Sequence, residues 1–161
     1  MAKTTRSLII LTVIALITVS YFVAISYFPL SYRAEIKEAS QRYGLEEELI
    51  RAVILVESSY REDAVSHAGA EGLMQMMPET RKWISSKVGV ASDGSARSEI
   101  LLGCGYLRYL LDLTGDETDA LMSYNAGYSN VLKWKEGETP FPETVEYVRR
   151  VNFARKIYHL I

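Results

Sequence analysis

The chain has one cysteine, four prolines and two histidines among 161 residues. A lone cysteine excludes an internal disulfide framework and any CxxC metal site. Cys104 stands between Gly103 and Gly105 in an apolar run and reads as a buried small hydrophobe. His67 and His159 lack partners at ligand spacing, so no zinc site is expected. A surplus of one charge sign is also missing. Lys and Arg number 18 against 20 Asp and Glu, a formal net charge of −2, so no strong field draws the chain to nucleic acid. No low-complexity tract points to disorder. No phosphate-binding glycine loop or Ser-His-Asp set is present, and period-two alternation never persists long enough to define a strand.

The largest absence is local: no charged residue lies between Arg6 and Arg33. Leu8 to Phe28, LIILTVIALITVSYFVAISYF, is 21 residues long, which as a helix spans roughly 30 Å, the thickness of a bilayer core. A buried helix of a soluble domain with this sequence needs protein on every side. Tyr21, Phe22, Tyr27 and Phe28 crowd one end as interface anchors do. Lys3 and Arg6 precede the run, so the positive-inside rule places the N-terminus in the cytoplasm. The rival is a cleaved signal peptide with Ala24-Ile25-Ser26 at the cut, but its apolar region is usually shorter. The expectation is a stub and single-pass transmembrane anchor over 1–32, with 33–161 on the extracytoplasmic (periplasmic) side of the cell membrane. That outer part carries 16 basic and 20 acidic side chains and is long enough for one core.

The outer part reads as helices almost throughout. Tyr32–Tyr43 is amphipathic and ends at Gly44. Leu45–Ser58 begins acidic and holds an i,i+4 pair, Glu47 and Arg51. Residues 59–72 form a loop. Pro78 opens a helix reaching about Lys87, and Gly89–Gly94 is a second loop. Ala96–Leu113 carries an apolar stripe of Ile100, Leu101, Cys104, Leu107 and Leu111, stopped by Gly115. Thr118–Ala126 follows, then Ser129–Lys135, a turn over Gly137–Pro142, and a last helix over Glu143–Tyr158.

One residue breaks this pattern. Leu49, Ile50, Val53 and Ile54 define the inward face of the second outer helix, and Glu57 falls on that face, four residues after Val53 and three after Ile54. A carboxylate on an apolar stripe loses hydration, and its pKa rises. The plainer reading is a helix-end Glu that snorkels to water or pairs with a base. Glu62 and Asp63, just past the helix, read as solvated loop residues. Downstream lies Gly72-Leu73-Met74-Gln75-Met76-Met77-Pro78, where Met and Gln supply apolar wall and amide hydrogen bonds of the kind that hold sugar rings; core filling is the alternative for Met74, Met76 and Met77. Then come Ser123-Tyr124-Asn125-Ala126-Gly127 and Glu143-Thr144 with Tyr147-Val148.

These four segments, in this order over about residues 33–158, resemble the catalytic domain of the soluble lytic transglycosylases, lysozyme-like enzymes that cut peptidoglycan. The resemblance implies a mainly α, lysozyme-like helical domain behind the one N-terminal transmembrane helix. Its substrate partner is the peptidoglycan glycan strand, and no cofactor is required. Carried over by position, Glu57 is the sole catalytic acid/base. Ser66 matches a loop serine near that carboxyl and the muramyl N-acetyl group. Gln75 and Met77 match groove residues, Tyr124 the tyrosine near the catalytic Glu, and Asn125 its neighbour in the same motif. Glu143 matches a second acidic residue supporting the site, and Tyr147 a helix aromatic near the groove. Ser123 departs from the family, where Ala is frequent. So does the lack of a long helical superstructure upstream.

Most glycoside hydrolases use two carboxylates; the resemblance implies a reaction with one. Glu57 starts protonated, protonates the oxygen between N-acetylmuramic acid and N-acetylglucosamine, then takes the proton of the muramyl C6 hydroxyl as it attacks the anomeric carbon. The product is a 1,6-anhydromuramyl end. The alternatives are a goose-type lysozyme-like hydrolase of the same bond, an inactive glycan-binding or assembly factor, and an enzyme opening the wall for a cell-envelope assembly machinery.

Overall fold

The computed structural model describes residues 2–161; within the first helix it describes the side chains of residues 6, 7, 9–23, 26 and 27. Eight helices occur among the described residues: α1 Ala2–Tyr27, α2 Arg33–Tyr43, α3 Glu47–Ser58, α4 Pro78–Val88, α5 Ala96–Thr114, α6 Glu117–Ala126, α7 Tyr128–Lys135 and α8 Pro142–Tyr158. The chain falls into two compact units, Met1–Leu30 and Ser31–Ile161.

The first unit is α1. Its described apolar side chains are exposed all round, among them Leu11, Ile14, Leu16, Ile17 and Phe22. Thr18 and Ser26 donate their hydroxyls back to the carbonyls of Ile14 (2.6 Å) and Phe22 (2.9 Å), so these polar groups are satisfied inside the helix. Among the described residues no helix is long and apolar enough to cross a membrane. The side chains of Lys3 and of Ala24-Ile25, on which the expected orientation and the rival cleavage site rest, lie outside the described residues.

The second unit follows the helical pattern read from the sequence, with ends shifted by a residue or two. Proline stands in the first turn of both α4 and α8, where its missing N–H has no helical partner to lose. Ser95 caps α5 and Asp116 caps α6 by accepting the N–H groups of Ser98 and Asp119. Leu45, expected in a helix, instead precedes the N-cap Glu46 and is buried. The Glu47–Arg51 pair is present at 3.3 Å.

Two layers of packing make the core. On α3, Leu49, Ile50, Val53 and Ile54 are buried as the periodicity required, and α3 lies against α8 and α2. On α5, Ile100, Leu101, Cys104 and Leu107 are buried, joined by Leu102 and Leu110, while Leu111 is only half-buried. α5 meets α2, α4 and α6, so its apolar face is wider than one stripe. Burial pushes the Cys104 thiol pKa up, as expected of a small hydrophobe rather than a nucleophile. Between α3 and α4 the chain is irregular, held by isolated antiparallel bridges pairing Val65 with Glu71 and Glu71 with Met76.

Candidate active site

Glu57 is on the last turn of α3, half-buried, and it lines a cleft of about 430 Å³. The segment after it builds one wall. Ser58 is buried, and its hydroxyl donates to the Leu73 carbonyl (2.9 Å) and approaches that of Ile54 (3.2 Å). The Glu99 carboxylate accepts the Leu73 N–H at 2.8 Å. Glu99 also faces Arg81, 3.9 Å away, and Arg81 in turn donates to the Glu71 carbonyl at 3.0 Å.

Gly72 is required here on two counts. Its φ is +76°, and a Cβ would stand 2.3 Å from the Glu99 carboxylate oxygens. Opposite, a Cβ on Gly103 would stand 2.4 Å from the Met74 sulfur. Gly103 therefore lets the Met74 side chain seat against the α5 backbone. The Tyr124 hydroxyl, from α6, donates to the Met74 carbonyl at 2.8 Å. Gln75 donates its amide to the carbonyls of Ala64 (3.0 Å) and Gly72 (2.9 Å). These bonds hold the Met/Gln wall against α3, α5 and α6. They also spend the Gln75 amide donors on the loop, where the sequence had suggested sugar contacts.

The opposite wall comes from the end of α6. The Tyr124 ring lies 5.3 Å from that of Tyr106. The Asn125 side-chain oxygen accepts from the hydroxyl of fully buried Thr144 at 2.8 Å, leaving its amide donors for the cleft. The Ser66 hydroxyl accepts the Ala70 N–H at 3.0 Å and keeps its own proton to donate.

The electrostatics centre on Glu57. Burial raises its pKa from 4.5 to about 7, against smaller opposite pulls from the Tyr147 hydroxyl and the Arg150 guanidinium. Tyr147 is buried, and its hydroxyl stands beside Glu57 without completing a well-formed hydrogen bond to any protein atom. Burial and the neighbouring Glu57 hold the Tyr124 and Tyr147 phenols well above their usual range, so both remain neutral donors.

Of the eight residues singled out from the sequence, the cleft gathers Glu57, Ser66, Gln75, Met77, Tyr124 and Asn125. Tyr147 is behind the carboxyl rather than along the groove. Glu143 is exposed in the first turn of α8 and does not line the cleft; its neighbour Thr144 turns inward instead. Glu62 and Asp63 are exposed loop residues, Glu62 accepting the Tyr32 hydroxyl. Glu57 is thus the only carboxylate among the described residues lining the cleft. No cluster of three metal-ligating side chains occurs among the described residues. Sequence reasoning missed Tyr106 and Thr80 as lining residues and Glu99 as the anchor of the wall.

The second unit is mainly helical, and its likeness to a solved lytic transglycosylase identifies the architecture as the lysozyme-like SLT fold. The transglycosylase SLT domain family model matches residues 34–144, and the chain belongs to that family. It is 36% identical over 107 residues to a transglycosylase of Enterobacteria phage PRD1, covering 66% of this chain and 38% of that protein. It is 30% identical to membrane-bound lytic murein transglycosylase C of Photorhabdus laumondii subsp. laumondii, covering 83% of this chain and 46% of the relative. An inactive glutamate-to-glutamine mutant of lytic transglycosylase Slt from Pseudomonas aeruginosa superposes with a TM-score of 0.76 at 31% identity, over 83% of this chain and 24% of that one. The chain therefore spans less than half the length of each of these proteins.

Proposed function

We propose that this chain is a peptidoglycan lytic transglycosylase that cleaves the bond between N-acetylmuramic acid and N-acetylglucosamine without consuming water. The observation that carries the reading is Glu57: one carboxyl, protonated up to about pH 7, in a cleft whose described lining offers no second acid. A two-carboxylate mechanism has nothing to work with there. A raised pKa suits Glu57 to give its proton to the glycosidic oxygen. The carboxylate so formed accepts the proton of the muramyl C6 hydroxyl as that oxygen attacks the anomeric carbon. Glu57 is then protonated again, and the anhydro ring closes with no net change in the protein.

In this reading Ser66 and Asn125 hold the N-acetyl and hydroxyl groups of the sugars, while Gln75 and Met77 form the wall on which the rings rest. Tyr124 fixes that wall through Met74, and Tyr147 backs the carboxyl. Glu143 supports the start of α8 rather than the reacting groups. The names of the relatives, which describe murein transglycosylases, support the same substrate class.

We propose further that α1 anchors the enzyme in the cell membrane with its N-terminus in the cytoplasm. The charge-free stretch between Arg6 and Arg33, the exposed apolar side chains of α1 and a relative named as membrane-bound support this. Mass analysis of products from purified peptidoglycan tests the chemistry. Anhydromuramyl ends support it, reducing ends identify a goose-type hydrolase, and intact strands identify a binding factor. Retention in the membrane fraction after high-salt washing tests the anchor, and a soluble form starting near Tyr27 refutes it.

A further inference from the structure

Beside the cleft is a second hollow, of about 320 Å³, that the proposed chemistry does not use. Trp83 of α4, Tyr106, Tyr109 and Leu113 of α5, and Tyr128 at the start of α7 form its walls, and Thr80 completes them. Thr80 and Tyr106 line the cleft as well, so the two hollows adjoin at these side chains. The rings form a connected row. Trp83 meets Tyr109 at 4.9 Å and Tyr106 at 6.3 Å, both edge to face, and Tyr106 leans on Tyr124 inside the cleft. The Lys87 ammonium lies over the rings of Trp83 and Tyr109, at 5.2 and 4.8 Å.

Such contacts fix the rings before any ligand arrives, which lowers the ordering cost of binding. Yet the surface is not closed: Trp83 remains 40% exposed and Leu113 42%. Large apolar side chains left open beside a groove are a binding surface more often than a core.

We infer that this aromatic shelf is an additional saccharide subsite, which takes one ring of a glycan strand whose other rings occupy the cleft. The inference rests on the glycan-cleaving reading of that cleft and adds the shelf's own residues to it. A pyranose has a face of C–H bonds and an edge of hydroxyls. Electron-rich aromatic faces attract the first. The tyrosine hydroxyls and the exposed Glu79 carboxylate at the margin supply partners for the second. The hollow holds about one ring, and because it adjoins the cleft at Thr80 and Tyr106 that ring belongs to the same strand.

The test uses the full chain carrying Trp134→Phe, which leaves Trp83 as its only tryptophan. β-1,4-linked N-acetylglucosamine trimer and hexamer serve as probes, since they carry the same sugar backbone without the lactyl ethers and stem peptides of muramic acid. The hexamer should bind on the order of tenfold more tightly than the trimer and shift Trp83 emission. Trp83→Ala, in the unmodified chain, should bring hexamer affinity down to that of the trimer and leave the trimer unchanged. Trp83→Phe, which keeps a stacking face, should retain most of the gain and controls for folding. Hexamer binding that is indifferent to Trp83→Ala overturns the shelf and leaves the cleft reading standing. Failure of both oligomers to bind overturns the cleft reading and the shelf with it. Trp83 emission that answers a free stem peptide but not the hexamer overturns the saccharide assignment.

Discussion

Replacing Glu57 with Gln changes one atom's chemistry and almost no volume, so its effects trace to the proton. The folded pKa is about 7 and the ordinary value 4.5, with burial as the main cause. A folded pKa above the unfolded one means that the stability it contributes is fully present below about pH 4.5 and is lost as pH rises through 7. The difference corresponds to about 3 kcal/mol lost across that window. Gln does not titrate. The melting temperature of Glu57→Gln relative to the wild type should therefore be nearly unchanged at pH 4, rise through the window, and level off above pH 7 at an advantage on the order of 10 °C for a domain of this size. Activity should fall by at least 10²–10⁴-fold, because an amide neither delivers a proton to the leaving oxygen nor accepts one from the C6 hydroxyl. Calorimetry across pH and release of soluble fragments from purified peptidoglycan read the two effects on one variant. A difference in melting temperature that stays flat with pH refutes the desolvated acid. Activity within tenfold of wild type refutes its role in the chemistry.

Four further substitutions probe the carboxyl and the wall beside it. Tyr147→Phe removes a hydroxyl that pulls the Glu57 pKa down, so the alkaline limb of the activity profile should move to higher pH; a limb that stays or moves down contradicts this. Tyr124→Phe leaves the Met74 carbonyl without its 2.8 Å donor and should lower stability by about 1–3 kcal/mol in a denaturant titration. That is more than a hydroxyl reaching only into the cleft would cost, and an unchanged midpoint refutes the anchoring role. Gly72→Ala and Gly69→Ala both place a side chain at positive φ, but only the first meets Glu99. The first should cost about 2–4 kcal/mol and the second about 1, and equal losses mean that the Glu99 contact yields freely.

How far the site could be read in advance depended on whether its geometry was local. Glu57 was legible because helix periodicity alone puts it on the face of Leu49, Val53 and Ile54, all buried as required. The wall of the cleft was not, because its shape comes from residues far along the chain. Glu99 reaches back 26 positions to Leu73, and Tyr124 reaches back 50 to Met74. Gly103 and Gly105 looked like mere flanks of Cys104. Their function is spatial: one makes room for Met74, and the other lies close to Val88 and the Tyr43 ring.

Glu143 illustrates a signal that was present but outweighed. The buried positions of α8 are Thr144, Tyr147, Val148, Val151, Ala154 and Tyr158, spaced three and four apart. A helix opened by Pro142 with that spacing cannot also turn position 143 inward. The resemblance gave Glu143 as a second acid supporting the site, and the buried positions of α8 put its neighbour Thr144 on the inward face. Thr144 reaches the cleft through Asn125. The same packing that buries Thr144 and Tyr147 leaves Glu143 exposed in the first turn of α8, and Glu57 is the one carboxylate among the described residues lining the cleft.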